Sequence, residues 1–407
     1  MLNEDQISEI QKRIEEDIYD QVNNGKQTQA LPEGYQACGQ FFKIKDRVQR
    51  GLHGTSSALK VIAISNNDNL KNSIPFIIRY LKDHSSVESQ LLSAQDPKEI
   101  INKDEANIIK ISESLYSLSF VQSGVGKKTQ IVNNLYGKLK QAMVEDKGWG
   151  YFTGSQEVQL LPTIFSALAL FSNAYTGFEN SFNYILNETE EKIQNNNLDL
   201  STYAVLVFAL YVLAFHYRPA FNDKAINARY KNAYKKLWES EYRTFNEDIE
   251  QNIEYWHEGD HFYIRIPWQL YLLALTSRFS SWNFAKVETQ KRLDSIYNHC
   301  VNGGGFRYQY SGPYYSVRTH AIIYEILDNI RQNLKRKTLY QVIKFIDQIR
   351  NILSHAVTRR IISILSILLG VYIAYRWYDQ GKFDLKELGP ELLGAILVWL
   401  ILLGKKN

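Results

Sequence analysis

His257-Glu258-Gly259-Asp260-His261 has the His-Glu-x-x-His spacing of zinc hydrolases. On a continuous helix that spacing sets two imidazoles one turn apart, with a carboxylate beside them to act as general base. Here the interior pair is Gly-Asp, and both are poor helix residues. The stretch also falls between helices in the repeat register developed below, so it is expected to be a polar turn. His257 and His261 stay as weak metal candidates, with no metal or other cofactor assigned. Ser123 to Thr129, SGVGKKT, has the look of a phosphate loop, but Val121 stands where its first glycine belongs. Lys128 stands where a Ser or Thr would hold magnesium, so the stretch is an ordinary loop. A further set lies beside aromatic turns: His53, Trp149, Tyr151, His257, Arg265, Arg307, Tyr308, Arg318 and His320. If those turns gather at one mouth of the fold, the set makes a donor-rich rim suited to an anionic or lipid ligand. The alternative is a scatter of separate surface charges and helix-end pairings.

The elements that carry these residues repeat. Gly303-Gly304-Gly305 is followed by Phe306, Tyr308 and Tyr310, then by Gly312-Pro313 and an apolar helical pattern through Ala321, Tyr324 and Leu327. Three glycines mark a turn or a close backbone approach, and a proline suits a helix start. Gly148-Trp149-Gly150-Tyr151-Phe152 followed by Pro162 is a second copy. Gly259, Phe262 and Tyr263 followed by Pro267 is a third, about 46 residues before the first. Further helices are expected after Arg50 and Ser73, over Glu105–Val121 and Thr129–Val144, and from Asp199 to Phe215. A period of about 45–55 residues with two helices each describes an array of helical hairpins. No strand-type alternation of useful length competes with it. Ile7, Ile10, Ile14, Ile18 and Val22 form an apolar stripe on an N-terminal helix, which either packs on the body or dimerises as a coiled coil.

The carriers GWGYFTG…LPTIFSALAL, GDHFYIRIPWQLYLLAL and GGGFRYQYSGPYYSVRTHA resemble the prenyltransferase and terpene-cyclase repeat superfamily. GLHGTSSAL at Gly51 is similar to the His-Gly turn of lanthionine synthetases. The resemblance covers roughly Tyr35 to Arg331 and implies an (α/α) toroid, with inner helices around a central funnel and turns forming the site at one end. It does not extend to the chemistry. Zinc prenyltransferases carry Asp-Gly-Cys-Tyr-Ser after the Gly-Gly-Phe turn, and Ser311-Gly312-Pro313-Tyr314 stands there instead. His320 alone does not hold zinc. The Asp-x-Asp-Asp acid of the protonating cyclases and the aspartate-rich magnesium motif are absent as well.

A net charge of +4 over 407 residues gives no electrostatic footprint for nucleic acid. Two cysteines, Cys38 and Cys300, exclude a disulfide framework and suit a reducing compartment. The first thirty residues lack the apolar core of a secretory signal. Near the C-terminus, Ile361–Tyr375 runs without a charge and Leu388–Leu403 carries one glutamate. With Trp377, Tyr378 and Trp399 as interfacial anchors, both are read as a transmembrane hairpin. Arg359-Arg360 and Lys405-Lys406 place both ends, and the toroid, on the cytoplasmic side of the inner membrane. Two buried core helices are the alternative.

The expected fold is all-α: an N-terminal helix at 1–30, a toroid at 31–335, a stalk helix at 336–357 and the hairpin at 358–407. The expected function is a membrane-anchored sensor or effector that binds a ligand or partner and oligomerises through the hairpin. Soluble recognition domains joined to such hairpins resemble membrane-acting effectors of bacterial stress and antiphage defence. The alternative is a membrane-bound enzyme acting on an isoprenoid or lipid.

Overall fold

Two kinds of helix alternate along the chain, and burial separates them. The computed structural model describes residues 2–23, 33–38, 41–42, 52–85, 107–122, 128–195, 198–243, 254–257, 263–302 and 315–354. In order come α1 (Glu4–Asn23), α2 (Leu52–Ile64), the single turn α3 (Asp68–Lys71), α4 (Ile74–Ser85), α5 (Ile108–Ser119) and α6 (Lys128–Gln141). Then follow α7 (Leu160–Ser172), α8 (Glu179–Gln194), α9 (Leu200–His216), α10 (Lys224–Glu239), α11 (Trp268–Phe279), α12 (Trp282–Tyr297) and α13 (Val317–Ser354). Leu160–Phe171, Tyr203–Ala214 and Trp268–Ser277 are unbroken buried runs in α7, α9 and α11. A helix apolar all round has to lie inside. By contrast α1, α6, α8, α10 and α12 bury one stripe each, such as Ile131, Leu135 and Leu139 of α6.

Packing follows the same division. The enclosed helices touch in chain order, α2 on α5, α5 on α7, α7 on α9 and α9 on α11. The first part of α13 completes the ring: Asn333 Nδ2 reaches Ser277 Oγ of α11 at 3.3 Å, and Glu325 meets Lys60 of α2. Outside lie α4, α6, α8, α10, α12 and α1. Among the described residues this is an all-α (α/α) toroid of six inner and six outer helices, and it forms one unit over Met1–Leu334. Lys335–Asn407 is a second unit.

The N-terminal helix is the last member of the outer ring. It packs on α12 and α2, with Gln6 Nε2 donating to Asp294 Oδ1 at 3.0 Å and Tyr297 OH to Glu9 Oε2 at 2.8 Å. Ile7, Ile10, Ile14 and Ile18 are fully enclosed. Each contributes about 2 kcal/mol by burial, so the isoleucine stripe is spent within the chain and leaves no coiled-coil seam.

The first aromatic turn is described in full. Its glycines are needed for space: a Cβ on Gly148 would meet Thr163 Oγ1 at 2.6 Å, and one on Gly150 would meet the Glu157 carbonyl at 2.8 Å. Trp149 O accepts from Gln159 N at 2.9 Å and Tyr151 O from Ile108 N at 2.9 Å, so the turn ties the starts of α5 and α7 together. Side chains supply the other inner caps. Asn107 accepts from Lys110 N at 3.1 Å on α5, and Asp199 accepts from Thr202 N at 2.6 Å on α9.

Strands were not expected, and two short antiparallel ribbons occur. β1 (Phe41–Phe42) pairs with β4 (Tyr315–Ser316), and β2 (Glu254–His257) with β3 (Tyr263–Ile266). Tyr-Trp and Tyr-Ile-Arg-Ile are strand formers, but segments of two to four residues are too short to show as a period. The expected turn at His257 is therefore partly a ribbon, with His257 opposite Tyr263. A strand cannot bring two imidazoles into the one-turn spacing that the zinc pattern needs. Among the described helices none is long and apolar enough to cross a membrane. The expected hairpin at 358–407 lies outside the described residues, as does the Gly303–Gly305 turn.

Candidate functional site

The inner helices converge on a group of charges. Glu325 projects from α13 and is 5% exposed. Its Oε2 accepts from Lys60 Nζ of α2 at 2.7 Å. Its Oε1 accepts from Tyr116 OH of α5 and from Tyr211 OH of α9, the latter at 2.7 Å. Asn329, one turn further along α13, donates to Tyr211 OH at 2.9 Å. His216, at the end of α9, puts Nε2 3.8 Å from Glu325 Oε1, and its Nδ1 lies 3.1 Å from Ser172 Oγ. Four inner helices, α2, α5, α9 and α13, thus meet at one carboxylate, and α7 joins through Ser172.

Beside this knot, Arg318 Nε donates to Glu113 Oε1 at 2.7 Å, and the guanidinium lies 5.7 Å from the Phe165 ring centre. Arg318, Ile322, Glu325 and Asn329 recur at steps of four, three and four, so one face of α13 presents them all. Phe165, Phe208 and Tyr271 wall the space between the two pairs, and that cavity has a volume of about 30 Å³. A water needs about 10–15 Å³ of such space, so there is room for a few waters and no more. The fixed charges balance, Lys60 and Arg318 against Glu113 and Glu325.

The electrostatics follow from burial and from Lys60. Burial pushes the Glu325 carboxyl upward, but the Lys60 ammonium, His216 and the donated hydrogen bonds outweigh it and hold it below the usual value. Burial also lowers His216, to about 4, so the imidazole is neutral at pH 7; the Glu325 charge opposes that shift without reversing it. Burial, then the Glu325 charge, raises Tyr116 and Tyr211 well above the phenol range, so both remain donors.

Of the residues expected at a rim, Arg318 alone lines this cavity among those described. Trp149 is fully enclosed and its Nε1 donates to Leu139 O at 2.7 Å, so it holds the α6 end to the aromatic turn. Tyr151 is buried, with its backbone N–H on Gln159 Oε1 at 3.2 Å. His320 is buried with Nδ1 2.6 Å from Ser316 O, fixing the start of α13. His53 lies in α2, His257 in β2 and Arg265 in β3, with their side chains outside the described set. Arg307, Tyr308 and His261 lie outside the described residues. No group of three or more His, Cys, Asp and Glu is placed to hold a metal among the described residues. Reading turns for function missed Lys60, Glu113, Tyr116, Tyr211, His216 and Glu325. The available signal was a single charge inside an apolar helix, as in SALKVIAI and AIIYEIL.

No protein-family model matches the chain, and no curated protein matches it by sequence. Solved structures do match by shape. An α-1,6-mannanase of the GH76A type from Salegentibacter sp. HEL1_6 superposes with a TM-score of 0.51 at 8% identity, covering 80% of this chain and 99% of the mannanase. A D-mannose isomerase superposes with a TM-score of 0.51 at 12% identity, covering 81% of this chain and 97% of the isomerase. At these identities the likeness establishes the toroid and nothing finer. Neither of the two is a prenyltransferase or a terpene cyclase.

Proposed function

We propose that this chain is a membrane-attached recognition protein, a sensor or effector whose toroid takes up a ligand or partner without turning it over. The observation that carries the reading is the commitment of the central carboxylate. Both oxygens of Glu325 are engaged by Lys60, Tyr116 and Tyr211. A general acid or base works best with a pKa near the working pH. Glu325 is held low and His216 is held neutral down to about pH 4, so neither is poised for proton transfer at neutrality. The apolar stretches Ile361–Tyr375 and Leu388–Leu403 support attachment to the inner membrane with the toroid in the cytoplasm. A membrane-acting role in stress or antiphage defence extends this reading by analogy with recognition domains joined to such hairpins.

Expression of the full chain in a bacterium tests this reading. Carbonate-resistant membrane association and loss of membrane potential, both abolished by deleting 361–407, are the expected results. Release by carbonate refutes attachment, and a potential unaffected by the full chain refutes the effector role.

A second reading is an enzyme. Glu113 and Glu325 line one cavity with aromatic walls, and the two matched structures are named for action on mannan and mannose. A sugar ring needs a site well above 30 Å³, since small-molecule pockets run to roughly 300–1,000 Å³, so the pairs must part to admit one. The purified chain is assayed on mannose and α-1,6-mannooligosaccharides, and on isoprenyl diphosphates for the lipid alternative. Turnover abolished by Glu325→Gln in a folded variant replaces the first reading with this one.

A further inference from the structure

We propose that residues 335–354, the distal part of α13, form a docking surface for an anionic lipid bilayer. Leu339, Val342, Ile343 and Ile346 fall at i, i+3, i+4 and i+7, which puts them on one face of the helix. Together with Tyr340 and Phe345 they are between 49% and 64% exposed. Apolar side chains of this size grouped on one solvent-facing helix mark a contact surface.

Charge decides what covers it. Residues 335–354 hold five cations, Lys335, Arg336, Lys337, Lys344 and Arg350, against the single anion Asp347. That surplus of four equals the net charge of the whole chain, +4, so the rest of the sequence is neutral overall. A second copy laid on the same face would bring two such surpluses together, a like-charge juxtaposition that interfaces avoid. An anionic bilayer is complementary in both respects. It accepts an apolar helix face at the headgroup boundary and attracts each nearby Lys or Arg. Docking of this kind needs no spanning segment, so it goes beyond attachment through 358–407 and does not depend on it.

The test uses the full chain with Ile346→Cys, on that face, carrying a polarity-sensitive fluorophore. Cys38 and Cys300 are buried, which directs the label to residue 346. The protein is reconstituted with phosphatidylcholine vesicles and, separately, with vesicles containing about a third phosphatidylglycerol, a leaflet charge of the kind that attracts basic segments. Expected is a blue-shifted emission with the anionic vesicles alone, reversed by high salt. Arg336→Gln with Lys344→Gln weakens this docking roughly 30-fold, from about 1 kcal/mol per cation. Equal emission in both lipids overturns the proposal. So does a blue shift in neutral lipid that grows with protein density, which assigns the face to a second chain. A chain that fails to float with neutral vesicles yet shifts on anionic ones refutes the transmembrane reading while upholding this one.

Discussion

Replacing Glu325 by Gln removes one charge from the centre of the toroid and changes little else in shape. The amide oxygen still accepts from Tyr116 and Tyr211, while Lys60 loses its counter-charge 2.7 Å away with 8% of its side chain exposed. Stranding one member of a buried pair costs about 3–5 kcal/mol, whereas replacing both members with groups of similar volume is often close to neutral. Glu325→Gln and Lys60→Met are therefore each expected to lose about 3–5 kcal/mol, and the double variant less than either. The coupling recovered in the cycle should exceed about 2 kcal/mol, beyond the few tenths expected of independent sites. Thermal unfolding of the full chain, followed by circular dichroism, reads this directly. Each kcal/mol moves the midpoint by about 2–4 °C in domains of 150–250 residues, and by less in a larger one. A double variant as unstable as the sum of the singles refutes the argument, because the pair would then not be the unit that stabilises the centre.

Two further outcomes follow from the same geometry. His216 binds its proton at about pH 4 when folded and near pH 6.5 when unfolded, so the unfolded chain carries more protons between those values. Stability is complete above about pH 6.5 and falls on acidification by up to roughly 3 kcal/mol; Glu325, also held low, adds loss at the acid end. In a pH series of melting midpoints, His216→Asn should flatten the slope between pH 4 and 6.5, and an unchanged slope removes His216 as its source. Gly150→Ala drives a methyl group toward the Glu157 carbonyl at 2.8 Å. That overpacking is expected to cost about 1–3 kcal/mol, seen as a lower urea midpoint, and a neutral result would show that the turn relaxes.

The toroid was legible because its signals are local. Gly148 and Gly150 announce a tight turn, Leu160–Phe171 and Tyr203–Ala214 read as helices with no polar face, and the alternation with striped helices describes two rings. The central site was not legible for the opposite reason. Lys60, Glu113, Tyr211 and Glu325 come from four helices spread over more than half of the chain, and no spacing rule links them. Trp149 and His320 stand out beside the turns, yet they serve the backbone around them. The ribbon at Glu254–His257 escaped because four residues carry too little periodicity to outvote the helices on either side.

The place of α1 in the outer ring has a consequence for synthesis. Its partners on α12, Asp294 and Tyr297, follow Gln6 and Glu9 by 288 residues. At about 5–20 residues per second, a ribosome needs roughly 15–60 s to deliver them. Throughout that interval the isoleucines of the first helix have no docking partner on α12, and ring closure is among the last contacts to form. Until then α1 has only α2 to pack on, and the outer ring stays open on its α12 side. A variant that delays α12 should therefore be trapped by holdase chaperones through residues 4–23.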